Sequence, residues 1–482
     1  MLKQPIILIF YQNLRFHDQP LLANAIQQEA PIIPIFINDP KLITQLGVAS
    51  QWWLYESLIE FQKQWESSFG IELILRTGDS IEVLQELVQE TNANKIYLGK
   101  RYTATEIAID QSIQKTFTQQ GIEVKFFNTH LLLDPPTIHN QQGKSFQMFT
   151  PFWKSCLHKI GKVKTVDDSF TPLKYNRAIS SESLTNWTWG HTQEAWTQKL
   201  ARYWQPSETR GLKQLDRFLK NNLKGYATQR NLLIDPPLTS QLSPYLRWGQ
   251  VSVRKVFKKV IEAVQVNPSI QQDGNAFLNE LGWREFSYHL LFNYPFMQKV
   301  PFNIWFKNFP WQKDIMALKK WQKGTTGYPI IDAGMRQLWE EGWMPNRLRM
   351  IVASFLVKDL LIDWQYGIAW FRDTLIDADP ANNANNWQWV AGCGVDAAPY
   401  FRIFNPIIQG KKFDPEGKYI KKYIPELKEV PIPYIHQPWK MSVDLQEELD
   451  VIIGINYPKP IVDHSIQRIK ALRLWKQLKK IS

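Results

Sequence analysis

Cysteine is nearly absent: the 482 residues hold two, Cys156 and Cys393. Two thiols cannot build a disulfide framework, a cysteine-ligated structural zinc or a cysteine-bound iron–sulfur cluster, and they suit a reducing compartment. Long apolar runs are missing as well. Ile7–Tyr11 is shorter than the roughly 7–15 residues of a secretory h-region, and no stretch approaches the roughly 18 apolar residues of a membrane span, so a cytoplasmic protein with no membrane partner is expected. G-x-x-x-x-G-K-S/T, H-E-x-x-H, G-x-S-x-G and C-x-x-C do not occur, and the eight histidines lack metal-ligand spacing. Hydrolytic and metal-dependent chemistry is therefore not expected.

Positive charge and tryptophan are plentiful. The net charge is +12, divided unevenly: residues 1–130 carry 10 Lys and Arg against 14 Asp and Glu, leaving +16 on the remainder. A basic back half suits a polyanion, because neutralising phosphates releases counterions. Most of the 21 tryptophans also lie beyond residue 150, where indoles can stack on bases or a planar cofactor.

Residues 1–128 alternate short β-branched runs with helix-period segments. Strands are expected at Ile6–Phe10, Ile32–Ile37, Glu72–Arg76, Lys95–Leu98 and Val124–Phe127, and helices near 20–29, 50–68, 80–91 and 103–119. Crossover helices between strands imply a doubly wound parallel sheet. The first strand leads into Tyr11-Gln12-Asn13-Leu14-Arg15 without a G-x-G-x-x-G, which disfavours a dinucleotide bound in the Rossmann manner. The fold class expected is an α/β N-terminal domain (1–130) joined by a long connector (131–200), rich in proline and polar residues, to a large all-α domain (201–482). Helices in the last part are expected at 208–222, 249–264, 274–292, 312–322, 330–341, 345–363, 366–376 and 462–480. In the final helix, Ile466, Ile469, Leu472, Trp475 and Leu478 form a stripe expected to dock on the core, leaving Arg468, Lys470, Arg473, Lys476, Lys479 and Lys480 wetted.

Three segments place polar groups inside otherwise apolar helical surroundings. In Asn279–Phe286, helical spacing groups Glu280, Trp283 and Arg284. In Trp343–Met350 it groups Asn346, Arg349 and Met350. Asp377–Trp387 gathers carboxylates and amides in an expected bend. Each alone could be capping, turn chemistry or a buried ion pair; together, in a basic helical domain, they point to a polar, planar ligand at a dry site.

Thr239-Ser240-Gln241-Leu242-Ser243-Pro244-Tyr245-Leu246, Phe277–Phe286, Gly327–Arg336, Trp343–Met350 and Trp387–Asn405 resemble the flavin domain of the cryptochrome/photolyase family. The likeness runs through essentially all of 200–460 and more faintly through 1–130, and is nearest to class I-type photolyases acting on cyclobutane pyrimidine dimers. It implies FAD folded into a U in the helical domain. Carried over by motif, Tyr226, Thr239, Ser240 and Ser243 hold its phosphates, and hydroxyls and backbone N–H groups at a helix start suit that task. Phe277, Arg284, Asn346, Arg349, Asp377, Asp379 and Asn383 complete the cofactor set, with an Arg349–Asp377 ion pair favouring the anionic reduced ring and Asn383 facing flavin N5. Gln241 stands where the family usually has Arg or Lys.

The reaction implied is light-driven electron transfer from excited reduced FAD that splits a pyrimidine dimer in DNA. A poorly stacked dimer is cheaper to flip out than a normal pair. The resemblance makes Trp283 and Trp389 its stacking partners, Glu280 a hydrogen-bond partner of a thymine carbonyl, Met350 the apolar wall, and Arg230, Arg347 and Arg402 phosphate contacts. Trp387, Trp364 and Trp311 match the electron-transfer chain that re-reduces a resting flavin. A folate or deazaflavin antenna is a further expectation of the family, although Tyr97–Tyr102 and Phe10–Arg15 depart from the usual patterns there. Met350 speaks against the (6-4) branch, Trp283 against the single-strand-preferring branch, and the cysteine count against the iron–sulfur branch. The rivals are a signalling cryptochrome, for which the chain leaves no long tail, and a non-enzymatic nucleic-acid-binding helical protein. A monomer is expected.

Overall fold

The computed structural model describes residues 3–161, 165–166, 171–189, 195–396 and 402–481. Parts of the connector, residues 397–401 of the last motif and the Lys480 side chain lie outside the described residues. The chain divides into two compact units. One comprises Met1–Lys224, Ser240–Pro295 and Ile376–Asp379; the other comprises Gly225–Thr239, Phe296–Leu375 and Pro380–Ser482.

In the first unit the apolar runs pair as parallel strands: β1 Ile6–Ile9, β2 Pro31–Asn38, β3 Ile74–Thr77, β4 Lys95–Gly99 and β5 Glu123–Phe127, in the order β3-β2-β1-β4-β5. Ile7 lies in register with Ile33 on one side and Ile96 on the other. The central strands are apolar at nearly every position, as expected where helices cover a parallel sheet on both faces. Ile7, Ile33, Ile35 and Ile96 pack with Leu84, Leu87 and Phe117 from the helices. Local signals set the crossovers: Asp79 caps Ser80–Thr91 through the Ile81 N–H, and Thr103 with Glu106 forms a capping box opening Ala104–Gln119. All five expected strands are present.

The connector is more ordered than expected. It contains the helix Phe149–Ile160 and a two-residue strand, β6 Leu173–Lys174, beside β2. Phe149, Phe152, Trp153, Cys156 and Ile160 fall at helical spacing, a legible signal overshadowed by the Pro135-Pro136 and Asn140–Lys144 turn chemistry before it. The helix packs on Gln271–Asn293, where a Cβ on Gly282 would lie 2.6 Å from the Trp153 ring.

The second unit is helical. The expected 345–363 helix is Asn346–Ser354 followed by a π-helical turn, Phe355–Asp359. The expected bend at 377–387 is confined to 377–379; from Pro380 the chain is the helix Pro380–Ala391. Asn is a poor helix former, but Pro380 suits the first helical position, and Ala381, Ala384, Trp387, Gln388 and Ala391 are buried along one side. The final helix, His464–Ile481, corrects the expected stripe: Ile466 and Ile469 are 65% and 67% exposed, whereas His464, Ala471 and Leu478 are buried. Steps of three lag a 3.6-residue turn by about 60° each, so five such residues spread around the helix. Among the described residues no helix is long and apolar enough to cross a membrane, and no three His, Cys, Asp or Glu side chains cluster to hold a metal.

Candidate functional site

Gln271–Asn293 is buried over most of its circumference, so its polar side chains need partners. Glu280 and Trp283 stand one turn apart, both half-buried. The Trp283 indole lies flat on Phe149, ring centroids 3.8 Å apart and planes within 8°. Phe277 is buried against Phe218 at 4.6 Å. Arg284 turns toward protein groups: Nη1 donates to Glu285 Oε1 at 3.1 Å and Nη2 to the His130 carbonyl at 3.0 Å.

Around Arg284 lies a buried polar network that no motif announced. Tyr288 donates its hydroxyl to Asp379 Oδ2 at 2.5 Å, its oxygen is 2.9 Å from His130 Nε2, and the Arg284 guanidinium sits over its ring. Burial, with the Arg284 and Arg247 cations, pushes the His130 pKa far down and keeps that ring neutral. Burial also lifts the Glu285 carboxyl to about 7, against the lowering by Arg284 and by the Leu132 and Leu133 N–H groups. Tyr288 is pushed well above the usual phenol range by burial and by Asp379. Asp377 and Asp379 are both buried.

The Thr-Ser motif leads into the short helix Ser243–Arg247. The Thr239 hydroxyl oxygen is buried with no partner in the protein, and Ser240 is fixed through its carbonyl by the Gln214 amide at 2.8 Å. Ser243 is exposed. Gln241 adopts a left-handed φ of 51° and accepts from Arg217 Nη2 at 3.1 Å, so a cation reaches the motif from the neighbouring helix Glu208–Asn221. At the end of the short helix, Arg247 is buried, donates Nε to the Ala378 carbonyl and leaves Nη1 unpaired.

In the second unit, Tyr226 opens a short helix after Gly225, whose φ of 87° suits glycine, and Arg230 covers its ring. One helix carries Asn346, Arg347, Arg349 and Met350. Arg347 donates to Asn231 Oδ1 at 3.2 Å and lies over Phe413; Arg349 donates Nε to the Met344 carbonyl at 2.9 Å. Asn346 is exposed and Met350 half-buried. Another helix carries Asn383, Trp387 and Trp389. Asn383 donates its amide to the Ile368 carbonyl at 3.1 Å. Arg402 lies 5.8 Å from the Trp389 ring centroid.

Trp387 is buried, with its indole N–H unpaired. Its six-membered ring rests on Gly367, where a Cβ would come within 2.1 Å. Gly367 is one turn from Trp364, the first residue of the same helix. Trp311 is half-buried against Phe309, centroids 4.3 Å apart.

The two segments that depart from the family's antenna patterns meet in the first unit. Tyr11, Gln12 and Asn13 line one cavity with Gly99, Lys100, Arg101 and His130, beyond the C-terminal ends of β1 and β4, where the strand order reverses. It has room for little more than a water, so no second chromophore is placed in it.

Thus Phe277, Glu280, Trp283 and Arg284 share one helix of the first unit, where Asp379 joins them through Tyr288. Asn346, Arg347, Arg349 and Met350 share one helix of the second, and Asn383, Trp387 and Trp389 another. Sequence reasoning missed Phe149, Tyr288, Arg217 and Arg247. Only Phe149 carried a signal, the apolar periodicity of its helix.

Comparison with known proteins places the chain in a family. Residues 6–170 match the DNA photolyase family, and residues 277–477 match the FAD binding domain of DNA photolyase. A deoxyribodipyrimidine photo-lyase of Agrobacterium fabrum is 40% identical over 99% of this chain and 98% of its own length. Cryptochrome-2 of Arabidopsis thaliana is 34% identical over 95% of this chain and 76% of its own. The crystal structure of a bacterial class III photolyase from Agrobacterium tumefaciens superposes with a TM-score of 0.93, at 39% identity over 100% of this chain and 98% of that one. The chain belongs to the cryptochrome/photolyase family and carries its FAD binding domain. The residues fit the cofactor: the buried, unpartnered Thr239 hydroxyl is a protein group awaiting a ligand atom.

Proposed function

We propose that this chain is a light-driven DNA-repair lyase that splits cyclobutane pyrimidine dimers, working as a cytoplasmic monomer on damaged DNA. The observation carrying the reading is the Trp283 indole held flat by Phe149, one helical turn from Glu280. An extruded dimer needs a rigid stacking plane and a hydrogen-bonding carboxyl beside it, and this pair supplies both. Met350 gives the apolar wall, Trp389 a second stacking surface, and Arg230, Arg347 and Arg402 the phosphate contacts.

Bound FAD, reduced and excited by light, would supply the reversible one-electron transfer that dimer splitting needs. Tyr226, Thr239, Ser240 and Ser243 hold its phosphates, while Phe277, Arg284, Asn346, Arg349, Asp377 and Asp379 surround the rest. Arg217, anchored on Gln241, adds the positive charge that residue 241 lacks. Asn383, with one amide N–H on the Ile368 carbonyl, places a neutral amide at the ring. Trp387, Trp364 and Trp311 carry electrons inward from the surface.

Blue-light incubation with a dimer-containing oligonucleotide, beside a (6-4) lesion and undamaged DNA, tests the proposal. Loss of the dimer only in the light is expected. An unchanged dimer with reduced flavin present would favour the second reading, a cryptochrome-type photoreceptor, which the 34% identity to a plant cryptochrome supports. The similarity to a class III photolyase makes class III the alternative to the class I-type assignment.

A further inference from the structure

The π-helical turn Phe355–Asp359 buries two ionisable side chains next to each other. Asp359 is 1% exposed and pairs with His464 Nδ1 at 2.5 Å. Lys358 is 3% exposed, and its ammonium donates to the backbone carbonyl of Arg402. Four residues before Lys358, Ser354 Oγ accepts the Phe404 N–H at 3.2 Å. Two side chains, one turn apart, therefore grip the segment that carries Arg402, and they extend the helix that carries Arg347, Arg349 and Met350. Burying a lysine is costly, and such a group persists where its hydrogen bond fixes something.

We propose that Lys358 is a positioning residue for DNA binding: its ammonium anchors the Arg402 carbonyl and so holds the Arg402 guanidinium over Trp389 for a phosphate. This rests on the reading of Arg402 as a phosphate contact. Lys358 faces Asp359 from its own turn, itself held by His464 of the final helix, together with the Arg402 guanidinium and the Cys393 thiol. Burial keeps Cys393 neutral, so it brings no charge. Burial and the Arg402 cation bring the Lys358 pKa down to about 7, against the raising effect of Asp359. The grip is strongest with the amine protonated and slackens as pH rises through neutrality.

The test is dark binding of the flavin-loaded protein to a dimer-containing duplex across a salt series, for wild type, Lys358→Met, Lys358→Arg, Arg402→Ala and Lys358→Met/Arg402→Ala. Expected are about tenfold weaker binding and a salt slope reduced by about one for Lys358→Met and for Arg402→Ala alike, no further loss in the double variant, and recovery in Lys358→Arg. Additive losses in the double variant, or wild-type binding by Lys358→Met, would overturn the proposal. Wild-type binding by Arg402→Ala would instead overturn the reading of Arg402. Should Lys358→Met not fold, wild type and Arg402→Ala are compared between pH 6 and 8.5. About threefold weakening with pH in wild type alone is expected, and parallel profiles would overturn the proposal.

Discussion

Phe149 and Trp283 lie face to face, 3.8 Å between ring centroids, although 134 positions separate them in the chain. Such a pair contributes about 0.5–1.5 kcal/mol beyond its buried area and fixes the plane of the indole. Phe149→Ala is expected to weaken binding of dimer-containing DNA by about threefold to tenfold, with Phe149→Tyr close to wild type. Titration in the dark, with the bound-flavin spectrum as the control for folding, measures it.

Thr239 has a buried hydroxyl oxygen with no protein partner. Thr239→Val keeps the shape and removes the hydroxyl, so a ligand hydrogen bond of about 1 kcal/mol is lost. FAD should dissociate about fivefold more readily, read as the fraction of flavin retained after dilution.

Trp387 is buried and packed on the helix that begins at Trp364. Trp387→Phe removes the oxidisable indole and retains a ring. Light should no longer reduce the oxidised flavin, whereas repair by chemically pre-reduced protein should stay near wild type. Loss of both activities would point to misfolding, and retention of both would remove Trp387 from the electron route.

Gly367 allows the Trp387 ring to lie on the helix backbone, because a Cβ there would sit 2.1 Å from the Trp387 Cη2. Gly367→Ala forces the indole aside at about 1–3 kcal/mol, a typical overpacking cost. A lower thermal midpoint and slower photoreduction should appear together.

Glu285 has a folded pKa of about 7, raised by burial above the ordinary glutamate value. Between those two values the unfolded chain has lost a proton that the folded chain keeps, so stability falls as pH rises through this window and levels off above 7. Glu285→Gln cannot ionise. Subtracting its stability curve from that of wild type should expose about 2 kcal/mol lost between pH 5.5 and 8. A flat difference curve would show that Glu285 is ionised throughout.

The site was legible where chemistry is written in consecutive or helix-spaced residues. Glu280, Trp283 and Arg284 share a helix because spacings of three and four return to one side of it, as do Asn346, Arg349 and Met350. Asp377–Trp387 was misread because four asparagines argue locally for a turn, whereas the burial of Ala381, Ala384 and Trp387 decides for a helix. The final helix was misread for the opposite reason: its isoleucines recur regularly, but at three rather than 3.6.

By itself the sequence determined the parallel sheet, the helical remainder and the main motifs, because apolar strand runs, caps and helix periodicity act over a few residues. Only the tertiary structure decided that Phe149 backs Trp283, that Arg217 answers Gln241, that Tyr288 joins Asp379 to His130, and that Lys358 holds Arg402. Each of these pairs joins residues far apart along the chain. Their energy comes from excluding water around a stacked ring or a hydrogen bond, which requires the whole fold to have closed around them.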